Sequence, residues 1–159
     1  MIYSLTIFAN QTVKSIYQLE GNAKKLMNLT AQDLRVGNYV NYECTTHVID
    51  EIHKDRILHH WLNEKNDNPD VYICGYNEIL SIPLSKREIE KLGFVLDEEH
   101  MGDTPMYFDE KGFCIEDDAG DYWLCQHRDE DDFNRIARVD FVHELQNQYF
   151  SINKLELTY

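Results

Sequence analysis

No apolar stretch of this chain runs beyond a few residues, far short of the roughly 20 that a membrane-spanning helix needs. The opening residues hold nothing basic before Lys14 and lack the layout of a secretory signal, so the expected compartment is the cytoplasm. No two of the four cysteines (Cys44, Cys74, Cys114, Cys125) form a C-x-x-C pair. They are expected to be reduced, half-buried strand residues and not a disulfide framework. The pair Cys44-x2-His47 has a zinc-compatible spacing, but a structural zinc site needs a second such pair and none follows. His59 and His60, adjacent on a strand, point to opposite faces and cannot chelate together. The chain also lacks G-x-S-x-G, a glycine-rich phosphate loop and H-E-x-x-H. His143-Glu144 begins like the last of these, but Asn147 stands where its second histidine belongs.

What the chain has in excess is negative charge in one place. Residues 97–132 carry fourteen carboxylates against only Lys111 and Arg128, a net of −12 within a whole-chain charge of −14. A field so localised steers cationic partners, holds cations or imitates a polyanion. Direct nucleic-acid binding is not expected, because phosphate repulsion opposes counterion release and no basic cluster compensates. Nor is the chain a disordered acidic tail, since ten Tyr, seven Phe and two Trp are spread along it and 43% of its residues are apolar.

The pattern predicts an α+β protein in three stretches. Residues 1–29 read as an N-terminal extension that the fold can dispense with. Residues 30–93 read as a small curled β-sheet or barrel with a linking helix. Its strands are expected around Leu34–Tyr42, Val48–Ile52, Ile57–Leu62 and Val71–Cys74, with an extended piece at Ile79–Leu84. Ser85-x-x-Glu88 is a capping box opening a helix that Gly93 stops. Residues 94–159 read as an antiparallel β-meander closed by a C-terminal helix. Gly112 and Gly120 mark its turns, and Val142, Leu145, Tyr149 and Phe150 follow helical spacing. Leu155–Tyr159 is expected as a short last strand. No internal repeat or low-complexity tract interrupts this order.

Two phrases, Leu34-Arg35-Val36-Gly37-Asn38-Tyr39-Val40 and Val142-His143-Glu144-Leu145-Gln146-Asn147-Gln148-Tyr149-Phe150, carry a resemblance. Together with Ile82-Pro83-Leu84 and Leu92-Gly93-Phe94 between them, they resemble an uncharacterised family of small proteins from gut Bacteroides-type bacteria and their phages and prophages. The likeness extends over residues 27–159 by order and spacing. It departs from the family pattern at Glu144, Gln148 and Ser151-Ile152-Asn153. The resemblance implies a mobile-element or accessory setting and carries over no activity, cofactor or catalytic residue.

The candidate binding residues are the carboxylates Asp117, Asp118, Asp129, Glu130, Asp131 and Asp132, with Tyr122, Trp123 and Trp61 as aromatic anchors. Neither acidic run has the spacing of an EF-hand loop, so no metal or other cofactor is expected. The expected role is that of a non-enzymatic accessory protein acting through protein–protein contacts, its acidic surface steering a basic partner. Two alternatives stand beside it. One is a DNA mimic that blocks a nuclease or regulator. The other is a small hydrolase-like enzyme using His127 or His143 with a carboxylate, Cys114 or Cys125. The sequence leaves oligomeric state and partner identity open.

Overall fold

The computed structural model describes residues 29–62, 69–97, 104–129 and 132–159. Of the expected N-terminal extension, residues 1–28, and with them any strand or helix there, lie outside the described residues, while its last residue, Leu29, is buried in the core of the first unit. The protein is α+β, and the described residues form two antiparallel sheets of four and five strands and two helices. It divides into two compact units at Ile82/Pro83. Among the described residues no helix is long and apolar enough to cross a membrane.

The first unit is a four-stranded meander: β1 (Tyr39–Tyr42), β2 (Thr45–Ile52), β3 (Ile57–Trp61) and β4 (Val71–Cys74). Its first strand starts later than the alternation suggests, because Arg35 to Asn38 close a β-turn instead. The Asn38 N–H donates to the Arg35 carbonyl at 3.1 Å, and the Asn38 side-chain oxygen accepts from the Arg35 N–H at 2.7 Å. Gly37, the third residue of that turn, sits at φ 87°, where a side chain is strained. The Leu-Arg-x-Gly-Asn phrase is therefore a turn that delivers Tyr39 and Val40 into the sheet. Directly opposite residues share a face, so Val40, Ile49 and Ile57 stack beneath Cys74, and Leu29, Leu34 and Ile79 complete this core. A bulge between Ile49 and Glu51 turns Ile52 inward in place of Glu51.

The β1–β2 hairpin closes on Glu43 (φ 48°) and Cys44 (φ 68°), the backbone of a type I′ turn built without glycine or asparagine. A non-glycine residue in left-handed backbone costs roughly 1–2 kcal/mol. Cys44 is exposed and needs no thiol for packing. Cys44→Gly is therefore expected to raise stability by about 1 kcal/mol, read as a higher urea midpoint at unchanged slope.

The second unit opens with α1 (Lys86–Lys91), whose first turn is capped by the Ser85 hydroxyl accepting from the Glu88 N–H at 3.4 Å. It ends in a Schellman motif. Gly93 N–H donates to Glu90 and Phe94 N–H donates to Ile89, with Gly93 at φ 90° and both Ile89 and Phe94 buried. The five-stranded meander follows as β5 (Val95–Leu96), β6 (Met106–Phe108), β7 (Phe113–Asp118), β8 (Asp121–Asp129) and β9 (Asp132–Arg138). Then α2 (Val142–Asn153) packs on β8. Phe141, at the N-cap of α2, has no side-chain acceptor. The Glu144 carboxylate does the capping by accepting from the N–H groups of Asp140 and Phe141 at 2.8 and 3.2 Å. Phe94, Ile115, Leu124, Val139, Val142 and Leu145 form the buried centre. Leu155–Tyr159 is irregular where a strand was expected. The Gln146 amide, itself buried, donates to the Leu157 carbonyl at 3.0 Å and so takes up a group that a strand partner would have used.

Candidate functional site

The most developed polar arrangement lies on one face of the first sheet. Register places His47 opposite Trp61, and His59 opposite both Ile49 and Tyr72, so their side chains share the face that carries Cys74. His59 and His47 meet head-on, Nδ1 to Nδ1 at 3.0 Å. Cys74 Sγ lies 3.2 Å from His59 Nε2, and Thr45 Oγ1 lies 2.9 Å from His47 Nε2. His47, His59 and Cys74 are all buried.

The positions of the protons in this chain follow from its ends. The Thr45 hydroxyl donates to the Tyr42 carbonyl at 2.9 Å, and a carbonyl only accepts. Thr45 Oγ1 has then spent its single proton and must accept from His47 Nε2–H. His47 Nδ1 is left as an acceptor and takes His59 Nδ1–H. His59 Nε2 in turn accepts from the Cys74 thiol. Every member is neutral, and burial enforces this. It lowers the pKa of His47, lowers that of His59 to about 4 with help from His47, and pushes the Cys74 thiol up to about 12, with Glu78 adding to the rise.

A thiol beside an imidazole invites a nucleophilic reading, but these electrostatics oppose it. Burial disfavours both the Cys74 thiolate and the His59 imidazolium, and so opposes moving the proton from Sγ to Nε2 as such chemistry needs. The arrangement is a rigid polar spine behind a binding surface. That surface is a cleft of about 240 Å³ lined by Tyr42, Glu43, Thr45, His47, Trp61 and Tyr72. Tyr72 stacks on His59 with centroids 5.7 Å apart and planes 16° from parallel. Tyr42 leans on the same ring at 4.7 Å. The spine thus fixes two aromatic walls, while Trp61 and Tyr72 remain 40% and 41% exposed. His60, pointing to the opposite face, is held instead by the Asp50 carboxylate at 2.8 Å.

Of the residues marked in the sequence, Trp61 lies in this cleft. Trp123 is half-buried on the second sheet with the Arg135 guanidinium over its ring at 4.9 Å, and Tyr122 is buried. Asp117 turns inward to accept the Gly120 N–H at 2.8 Å. Arg135 grips Glu116 through two hydrogen bonds of 2.6 and 2.7 Å and reaches Asp118 at 3.1 Å, while Arg138 pairs with Asp121 at 2.8 Å. Asp129 and Asp132 face each other in backbone register at the ends of β8 and β9. Their side chains, that of His127, and residues Glu130 and Asp131 lie outside the described structure. Cys114 and Cys125 are fully buried opposite each other across β7 and β8, and the Cys114 thiol is pushed up by its hydrogen bond with Cys125 and by burial. His143 is buried against the Phe141 ring at 5.8 Å. Among the described residues no group of three or more His, Cys, Asp or Glu side chains is placed to hold a metal ion.

Sequence reading named Trp61 and missed Tyr42, Thr45, His47, His59, Tyr72 and Cys74 as one set. Comparison with protein-family models, with curated proteins and with solved structures gives no match to this chain.

Proposed function

We propose that this protein is a non-enzymatic binding module, an accessory protein of a mobile element, that acts through protein–protein contacts with a basic partner. The cleft of the first unit carries the reading. Its three aromatic rings and one carboxylate, Glu43, form an environment that attracts cations, and among the described residues that line it none is a lysine or arginine. A further carboxylate, Glu78, also bears on Tyr42. Burial raises the pKa of that hydroxyl, and the charges of Glu43 and Glu78 raise it further. The whole-chain charge of −14 supplies long-range attraction for the same class of partner. A DNA mimic needs carboxylates left unneutralised in rows. Glu116, Asp118 and Asp121 are tied to Arg135 and Arg138, and Asp117 is engaged in its turn, which speaks for contact with a basic protein over mimicry.

The test is a titration with a short Lys/Arg-rich peptide, following the fluorescence of Trp61 in a Trp123→Phe background. Binding is expected to saturate and to weaken steeply as salt rises from about 0.05 to 0.5 M. In a separate calorimetric titration, Trp61→Ala is expected to lower the affinity at least about tenfold, as loss of a central aromatic anchor does. Binding indifferent to both salt and Trp61 would sink the reading.

A further inference from the structure

Resting on that reading, we infer that the aromatic cleft of the first unit takes an arginine side chain, its guanidinium lying against Trp61 and Tyr72 and forking onto the Glu43 carboxylate. Two features of the cleft separate a guanidinium from an ammonium, and a third favours binding itself. The first is the form of its walls. Tyr72 is held parallel to His59 and Tyr42 is tilted 44° to Tyr72 at 6.3 Å, so the cleft offers flat ring surfaces and not a ring of oxygens. A planar, weakly hydrated guanidinium gains from stacking on such faces, whereas an ammonium gives up strongly bound water for little in return.

The second feature is the supply of acceptors. Among the described residues Glu43 is the single carboxylate of the lining, and two parallel oxygens suit a two-pronged donor. The Thr45 hydroxyl is already engaged, accepting from His47 and donating to the Tyr42 carbonyl. His47 Nε2 carries the proton that it gives to Thr45, and His47 Nδ1 accepts from His59, so the imidazole has no lone pair left for a second cation contact. A guanidinium suits this supply better than an ammonium, because two of its donors are parallel and match the two carboxylate oxygens while its plane lies on the rings, whereas an ammonium meets the carboxylate as a point charge.

The third feature is rigidity. The Thr45–His47–His59–Cys74 chain fixes the walls before any ligand arrives, which reduces the ordering cost of binding.

The probes are N-acetyl-arginine methylamide and N-acetyl-lysine methylamide, titrated separately into the full chain. The readout is NMR shifts of the Trp61 indole N–H and the Tyr72 ring. The arginine probe is expected to saturate in the millimolar range and to bind at least about fivefold tighter than the lysine probe. Glu43→Gln, which keeps size and turn position, is expected to weaken the arginine probe about tenfold and to narrow the gap between the two probes. Trp61→Ala is expected to abolish saturation for both. Equal affinities, or no saturable shift at either ring, would overturn the inference. If the basic peptide nonetheless still bound in a Trp61-dependent and salt-dependent way, the basic-partner reading would stand without the arginine pocket. If neither probe nor peptide bound, both would fall.

Discussion

Asp109→Ala is expected to destabilise the second unit by about 3–4 kcal/mol, because a single carboxylate there satisfies three donors. Asp109 Oδ1 accepts from the N–H groups of Lys111 and Phe113, each at 2.8 Å, and so shapes the turn between β6 and β7. Its other oxygen accepts the Tyr149 hydroxyl of α2 at 2.5 Å. Tyr149 and Phe113 are both buried, so alanine leaves a phenol and an amide without their acceptor where water is scarce. Only Lys111, which is exposed, recovers a water easily. Asp109→Asn keeps an oxygen for the turn and an amide for the phenol, and is expected to cost only about 1 kcal/mol. Tyr149→Phe removes one arm alone. Combined with Asp109→Ala it should show a coupling of roughly 1.5–2 kcal/mol in a double-mutant cycle. Urea denaturation followed by Trp123 fluorescence in a Trp61→Phe background reads the parent and all four variants. Equal losses for the alanine and asparagine variants would refute the proposed division of labour.

Asp109 also shows how far the acidity of residues 97–132 can be read from sequence. Counted as charges, those carboxylates form one block. In the fold, Asp109 and Asp117 serve backbone amides, Glu116 and Asp118 on β7 meet Arg135 of β9 across the intervening β8, and Asp121 on β8 meets Arg138 from the adjacent β9. Arg135 and Arg138 lie beyond the acidic stretch in sequence and reach it only through β-pairing, which composition cannot reveal. Local chemistry was legible. Ser85-x-x-Glu88 and Gly93 marked both ends of α1, and Ala119-Gly120 (φ 54° and 93°) made the expected tight turn. The turn at Glu43-Cys44 was not, because neither residue is one that left-handed backbone prefers. The histidine spine was illegible for a related reason. It needs correct register across three strands, and the bulge after Ile49 shifts the inward face by one residue partway along β2. Alternation did place His59 and His60 on opposite faces. It could not say that His47 and Cys74 would meet His59 from strands on either side.

The same spine makes the first unit sensitive to acid. His59 has its pKa lowered to about 4 by burial and by His47, against an ordinary value near 6.5 once the chain unfolds. Between those two values the unfolded chain binds a proton that the folded one refuses, so stability rises with pH across the window and falls as pH drops through it. Below about pH 4 both states are protonated and the loss levels off. For His59 alone the decline from pH 7 to pH 4 amounts to about 3 kcal/mol, and His47, lowered in the same direction, adds to it. The facing groups leave the sign unchanged. Asp50 pulls the pKa of His59 upward, but burial, His47 and His60 outweigh it, and Cys74 stays a thiol throughout. The geometry gives the same direction, since Nδ1 and Nδ1 at 3.0 Å have room for one proton between them and not two. His59→Gln isolates the effect. Its amide can donate to His47 and accept from Cys74 without titrating, so the spine keeps its polarity while losing its most strongly shifted base. Urea midpoints at pH 7.5, 6.5, 5.5 and 4.5, read from Trp61 in a Trp123→Phe background, are expected to fall more steeply for the parent than for the glutamine variant. The difference should grow to about 2.5 kcal/mol by pH 4.5 and level off only below about pH 4. Parallel curves would mean that a proton reaches His59 in the folded state as easily as in the unfolded one, and that the buried, neutral spine does not exist.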